Sequence, residues 1–191
     1  MTPMPHTMTS HPIQRSELPY TPFYCEENIW HLCGMTERVP PDSRVVIISN
    51  PARACAVWQQ RAARKPAEPI IWDYHVVLLA CNLEVLNIWD FDTLLDMPCL
   101  ASQWLYESFW QLPHEFAHLA PRFRLIASSE YRAKFSSDRT HMWSEDGSWK
   151  HPPPTWPAIV IPGAPSFHLW TEMAESDQDC LTLTELRALV S

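Results

Sequence analysis

The chain has 191 residues, 46% of them hydrophobic and 19% charged, with Trp at ten positions. That composition excludes a disordered chain, a coiled coil and a collagen-like repeat, and the length suits one domain that buries roughly 70% of its unfolded surface without help from disulfides or metals. A formal net charge of −8, from 14 Lys+Arg against 22 Asp+Glu, leaves little material for the basic face of a nucleic-acid binder, so no nucleic-acid partner is expected.

In chain order, residues 1–22 are rich in Pro, Thr, Ser and His and lack periodicity, which reads as a flexible lead-in; residues 23–191 read as a single domain. A helix is predicted over 25–35, with Ile29, Trp30, Leu32 and Cys33 at helical spacing and Glu26 and Glu27 in its first turn. The β-branched run R-V-V-I-I-S at 44–49 predicts a buried strand, and Asn50-Pro51 a turn. Strands are predicted over 69–79 and 84–91, paired as a hairpin around Asn82. Residues 100–119 read as a helix that Pro113 kinks, and 123–128 as a strand. The prolines at 152–154 and 157 enforce an extended stretch. A short terminal helix over 182–190 starts with a Thr182/Glu185 capping box. This order predicts an α+β fold, one sheet flanked by helices in an α/β/α sandwich.

The six cysteines show no Cys-x-x-Cys spacing, the N-terminus shows no basic start with an apolar run, and no stretch approaches about 20 apolar residues. A reduced, soluble protein of the cytoplasm, and also of the nucleus, is expected, with no membrane partner. No exposed apolar helix demands an oligomer, so monomer is the default. With glycine only at 34, 147 and 163, a phosphate-binding loop or dinucleotide fingerprint is excluded.

Four features carry candidate chemistry. Cys25 sits where the first helix begins, and unpaired N–H groups with the positive dipole end there favour a thiolate. His75 lies inside I-I-W-D-Y-H-V-V-L-L, where alternation puts Trp72, Tyr74 and Val76 on one face and Asp73, His75 and Val77 on the other. A histidine titrates in the range a general base needs, although a satisfied core histidine is the commoner case. Asp90 and Asp92, in N-I-W-D-F-D-T, offer a carboxylate to orient an imidazole, or are solvent-facing aspartates at a strand end. His114-Glu115-Phe116-Ala117-His118 competes with all of these, because H-E-x-x-H on one helical face binds zinc while the Glu activates water. Prolines at 113 and 121 bracket that motif closely, and Glu130 is its candidate third ligand.

The blocks Y-C-E-E-N-I-W (24–30), I-W-D-Y-H-V-V-L-L (71–79), W-D-F-D-T-L-L (89–95) and F-S-S-D-R-T-H-M (135–142), in that order, resemble the protein N-terminal glutamine amidohydrolase family. V-I-I-S-N (46–50), F-R-L-I (123–126) and P-P-P-T-W-P (152–157) extend the resemblance over about residues 23–160. It implies a compact catalytic domain similar to papain- and transglutaminase-like cysteine enzymes. It also implies conversion of an N-terminal Gln to Glu with release of ammonia, feeding the N-degron pathway. The nucleophile then falls on Cys25, its histidine on His75 and its acid on Asp90. No cofactor and no metal are required. Partners are proteins or peptides with a free N-terminal Gln, and other N-degron enzymes are further candidates. The substrate's α-ammonium needs an acidic partner, for which Glu26, Glu27, Asp73, Asp92 and Asp138 are the candidates, with Trp72 as a further substrate contact. The alternatives are a zinc peptidase on His114, Glu115 and His118, and a non-catalytic module that binds N-terminal segments.

Overall fold

The computed structural model describes residues 15–65 and 67–191. Eight strands form among them: β1 (Arg44–Ser49), β2 (Cys55–Val57), β3 (Ile70–Trp72), β4 (His75–Asn82), β5 (Val85–Trp89), β6 (Cys99–Leu100), β7 (Arg122–Ala127) and β8 (Cys180–Thr182). The helices are α1 (Cys25–Cys33), α2 (Ala101–Ser108), α3 (Ser128–Lys134), α4 (His168–Thr171) and α5 (Leu183–Leu189). Six strands make an antiparallel sheet in the order β6-β5-β4-β1-β7-β8, and β2 and β3 make a small separate ribbon.

The β-branched run takes the centre, beside β4, because both strands bury both faces. Val45 and Ile47 point with Val76 and Leu78 to a core shared with Ile29 and Leu32 of α1 and Tyr131 of α3. Val46 and Ile48 point with Val77 and Leu79 to a second core, against Trp104 and Leu105 of α2 and Leu186 of α5. Helices therefore cover both faces of a mixed, mostly antiparallel structure. Each fully buried aliphatic side chain contributes about 1.5–3 kcal/mol of transfer free energy.

Strands β4 and β5 form the anticipated hairpin. Asn82 faces Val85, and Leu83 and Glu84 turn the chain with φ of 50° and 65°, the doubly left-handed geometry of a two-residue turn. The terminal helix carries both halves of the Thr182/Glu185 capping box.

Several expectations are corrected. The strand expected over 69–79 is two strands in different sheets. Between them Asp73 accepts the Tyr74 N–H on its own Oδ1, at 3.0 Å, and gives its carbonyl to the Ser49 hydroxyl at 2.7 Å. That local bond breaks the alternation, so Trp72 and His75 do not oppose one another; their rings stack, 5.6 Å apart and 10° from parallel. The helix expected over 100–119 ends at Ser108, and Pro113 opens a separate 3-10 helix, His114–Leu119. Of the lead-in, residues 1–14 lie outside the described residues. Residues 15–22 are packed rather than flexible: Arg15 donates to the carbonyls of Thr93 and Leu95, Leu18 is buried, and Tyr20 stacks on Phe91.

Candidate active site

The site forms where the N-terminus of α1 meets the ends of β4 and β5. Helix α1 packs on β4, and Cys25 is its first residue. His75 opens β4, and Asp90 directly follows β5. The antiparallel register between these strands pairs Leu78 with Trp89, which brings His75 and the Asp90–Asp92 segment to the same end of the sheet.

His75 Nε2–H donates to Asp90 Oδ1 at 2.9 Å, with both residues essentially inaccessible to solvent. Asp90 Oδ1 also accepts the Asp92 N–H at 3.0 Å. Its Oδ2 accepts Gln60 Nε2 at 2.9 Å and Trp104 Nε1 at 3.0 Å. Four donors thus hold one buried carboxylate. Burial alone would raise its pKa, but the His75 charge and these donors outweigh that and hold it below the usual carboxylate value. Burial alone would likewise lower the His75 pKa; the Asp90 charge and hydrogen bond dominate, and the net direction is up. Trp72 locks the ring plane by stacking, and its indole N–H is held by Gln60 Oε1 at 3.3 Å. The other ring nitrogen, Nδ1, is buried and has no hydrogen-bond partner. A fixed imidazole with one nitrogen committed to a carboxylate and the other free has the donor pattern of a general base.

Cys25, the first residue of α1, reaches the start of β4, without a hydrogen bond to His75 Nδ1. The Val76 N–H, one residue along from His75, is close enough to the sulfur to favour the thiolate. It is outweighed: burial pushes the Cys25 thiol well up, and Glu26 and Asp92 add to the shift. The positive end of the α1 dipole, from which a thiolate is expected, is thus opposed mainly by loss of water. The thiol lies 3.7 Å from Glu26 Oε2. Burial, with Glu27 adding, pushes Glu26 up to about 8.

Cys25 lines a cavity of about 200 Å³, with Phe23, Trp72, Tyr74, Asp92 and His141 among its other walls. The candidate acids meet different fates around it. Glu27 is a structural anion: Arg139 Nε and Nη2 grip it at 2.7 Å each, and Trp156 Nε1 donates to it at 2.6 Å. Asp138 is exposed, and its Oδ1 caps the Thr140 N–H and hydroxyl. Asp73 lies at the cavity mouth with its Oδ2 3.7 Å from Arg53. Asp92 is 4% exposed; Tyr20 donates to its Oδ1 at 2.7 Å, and its Oδ2 has no partner.

Several residues here carry no sequence signal. Gln60, Trp104 and Tyr20 act on Asp90 and Asp92 from 14 to 72 positions away. His141 and His168, without ligand spacing in sequence, meet with ring centres 4.5 Å apart, and the Tyr74 hydroxyl lies 3.2 Å from His141 Nε2. Burial and the His168 charge push His141 down to about 4. A hint lay in the F-S-S-D-R-T-H-M block, which contains His141.

The H-E-x-x-H segment is corrected. Its 3-10 turn repeats about every three residues, so His114 and His118 do not share a face as they would on an α-helix. The segment is solvent-exposed, and Glu130 is paired with Lys134 at 2.8 Å. Among the described residues, the group that brings three ligand atoms together is instead His75, Asp90 and Asp92, all within 4.8 Å. Both Asp90 oxygens and His75 Nε2 are already spent on protein hydrogen bonds there.

A family model described as N-terminal glutamine amidase matches residues 20–189. The chain belongs to the N-terminal glutamine amidase family. Proteins named protein N-terminal glutamine amidohydrolase are similar to it. The one from Danio rerio is 38% identical over 148 residues, covering 75% of this chain and 73% of its own. The one from Homo sapiens is 38% identical over 146 residues, covering 73% and 70%. The one from Drosophila melanogaster is 36% identical over 156 residues, covering 76% and 73%. The family match contains Cys25, His75, Asp90 and Tyr20, so the whole constellation lies within the shared region.

Proposed function

We propose that the protein is a cysteine-dependent amidohydrolase that converts the N-terminal Gln of a peptide or protein to Glu with release of ammonia. The observations that carry this reading are the buried His75–Asp90 pair, whose His75 Nδ1 has no partner, and a cavity that Cys25 lines together with Trp72, which stacks on the His75 ring. The names of the relatives support the substrate.

In the first half-reaction His75 Nδ1 takes the thiol proton as the sulfur forms a bond to the side-chain carboxamide carbon. The carbonyl oxygen gains the negative charge, next to the free N–H groups that open α1. Collapse of this intermediate breaks the C–N bond. His75 hands its proton to the nitrogen, which leaves as ammonia, and a thioester remains. A water then gives one proton to His75 and its oxygen to the carbonyl carbon. The sulfur leaves, regains the proton from His75, and Glu is released. Asp90 stabilises the imidazolium in both halves. Trp72 keeps the ring in plane.

An N-terminal Glu is a substrate for N-terminal arginylation, so the reaction suits an early step of the N-degron route, in contact with other enzymes of that route. The six cysteines are all free, which suits the reducing conditions of cytoplasm and nucleus.

The test is mass spectrometry of a Gln-initiated peptide, with EDTA present, incubated with the wild-type protein or with Cys25→Ala. An amide-to-acid mass gain with ammonia release from the wild type alone is the expected result. Deamidation that survives Cys25→Ala would remove the nucleophile from the mechanism.

A further inference from the structure

An enzyme that reads a chain terminus must hold the α-ammonium as well as the side chain. This assignment rests on the deamidase reading above. We infer that Asp92 Oδ2, flanked by the Trp72 and Phe23 rings, is the acceptor for the substrate's α-ammonium, and that Tyr20 is the residue that positions it.

Four observations lead there. First, Asp92 Oδ2 is a buried carboxyl oxygen without a donor, and burial raises the pKa of its carboxyl; a cationic ligand would relieve both costs. Second, Asp92, Trp72 and Phe23 line the cavity that contains Cys25, and the same three line an adjoining cavity of about 240 Å³, so they form the partition between the two. A carboxylate beside two aromatic rings is a chemical environment for an ammonium group. Third, the Tyr20 hydroxyl fixes the Asp92 carboxyl group through Oδ1 and leaves Oδ2 without a donor. The Arg61 guanidinium lies over the Tyr20 ring, 5.6 Å from its centre, and makes no ion pair with Asp92 among the described residues. Fourth, three of the other four acids are committed elsewhere. Glu27 is bound by Arg139 and Trp156, Asp138 by Thr140, and Asp73 by Tyr74 and Arg53. Glu26 does not line the cavity, and its free Oε1 faces His141 Nε2 at 3.7 Å.

The experiment compares a Gln-initiated peptide with its des-amino analogue, which keeps the carboxamide and lacks the α-nitrogen. Wild type should prefer the free amine. Asp92→Asn should lower kcat/KM for the free amine by about 10- to 100-fold, mostly through KM, and leave the analogue nearly unchanged, so that the preference collapses. A folding defect would lower both substrates together and keep their ratio. A folded Asp92→Asn protein that retains the wild-type ratio overturns the assignment. If Asp92→Asn does not fold, Tyr20→Phe decides: a several-fold smaller ratio supports the assignment, and an unchanged ratio overturns it. A wild type inactive on both peptides would instead sink the deamidase reading, and this assignment with it.

Discussion

Replacing Asp90 with Asn changes one atom and disturbs four hydrogen bonds. Oδ1 now accepts from His75 Nε2 and the Asp92 N–H, and Oδ2 accepts from Gln60 Nε2 and Trp104 Nε1. Whichever way the new amide turns, its NH₂ faces two donors. The buried pair also loses its negative partner, and breaking a buried ion pair from one side costs about 3–5 kcal/mol. At about 2–4 °C per kcal/mol for a chain of this length, the melting temperature should fall by roughly 6–20 °C. The pH dependence has a definite sign. Asp90 is depressed below its ordinary 3.8, so its contribution is present above that value and is lost as pH falls through the folded pKa. His75 is raised above its ordinary 6.5, so its contribution is complete below that value and is lost as pH rises through the folded pKa. The stability gap between wild type and Asp90→Asn should therefore be widest between pH 3.8 and 6.5. Catalysis should fall further than stability, because an Asn whose NH₂ donates to His75 Nε2 leaves the ring proton on Nδ1, the wrong tautomer; in a serine triad that error costs about 10⁴-fold. Thermal melts across pH and kcat/KM on a Gln-initiated peptide measure both effects. A folded Asp90→Asn protein that melts within about 2 °C of wild type and keeps its turnover would refute the account of a coupled buried pair.

Arg139→Met strands the Glu27 carboxylate with only the Trp156 donor, and chemical denaturation should show a loss of about 3–5 kcal/mol. Replacing Glu27 with Met as well should recover much of that loss; a double variant no better than the single one would argue that the pair is not what matters. Glu115→Gln and His118→Ala, on an exposed 3-10 turn, should leave deamidation and its EDTA resistance intact, and turnover assays with and without chelator test this. Loss of activity in either variant would reinstate the zinc motif.

How much was legible depended on whether the determinant was local. The β4–β5 hairpin and the capping box of α5 arise from contacts within a few residues, and both could be read from the chain. The break at Asp73 was hidden because I-I-W-D-Y-H-V-V-L-L alternates without interruption; only the bond from the Tyr74 N–H to Asp73 and the separate ribbon of β2 and β3 split it. The strands β2, β6 and β8 are two or three residues long and exist because a partner strand is present. H-E-F-A-H was misread for a related reason. The pattern implies ligands only on an α-helix, and the flanking prolines and the Asn50 side chain, which donates to the carbonyls of His118 and Ala120, hold a tighter turn.

The candidate site divides the same way. By itself the sequence determined which groups were available: a cysteine opening a helix, a histidine within a strand and two aspartates at the end of another. The blocks around them determined which family they resemble. Glu26 and Glu27 are adjacent, identical in type and both fully buried, yet one is a near-neutral neighbour of the thiol and the other an anion clamped by Arg139. Nothing local distinguishes them. The tertiary structure decided it, because burial costs a carboxylate its water, and what replaces that water comes from parts of the chain 112 and 129 residues away. The same holds for Asp90 and Asp92. One received four donors and became the support of His75; the other received only Tyr20 and kept one oxygen without a donor.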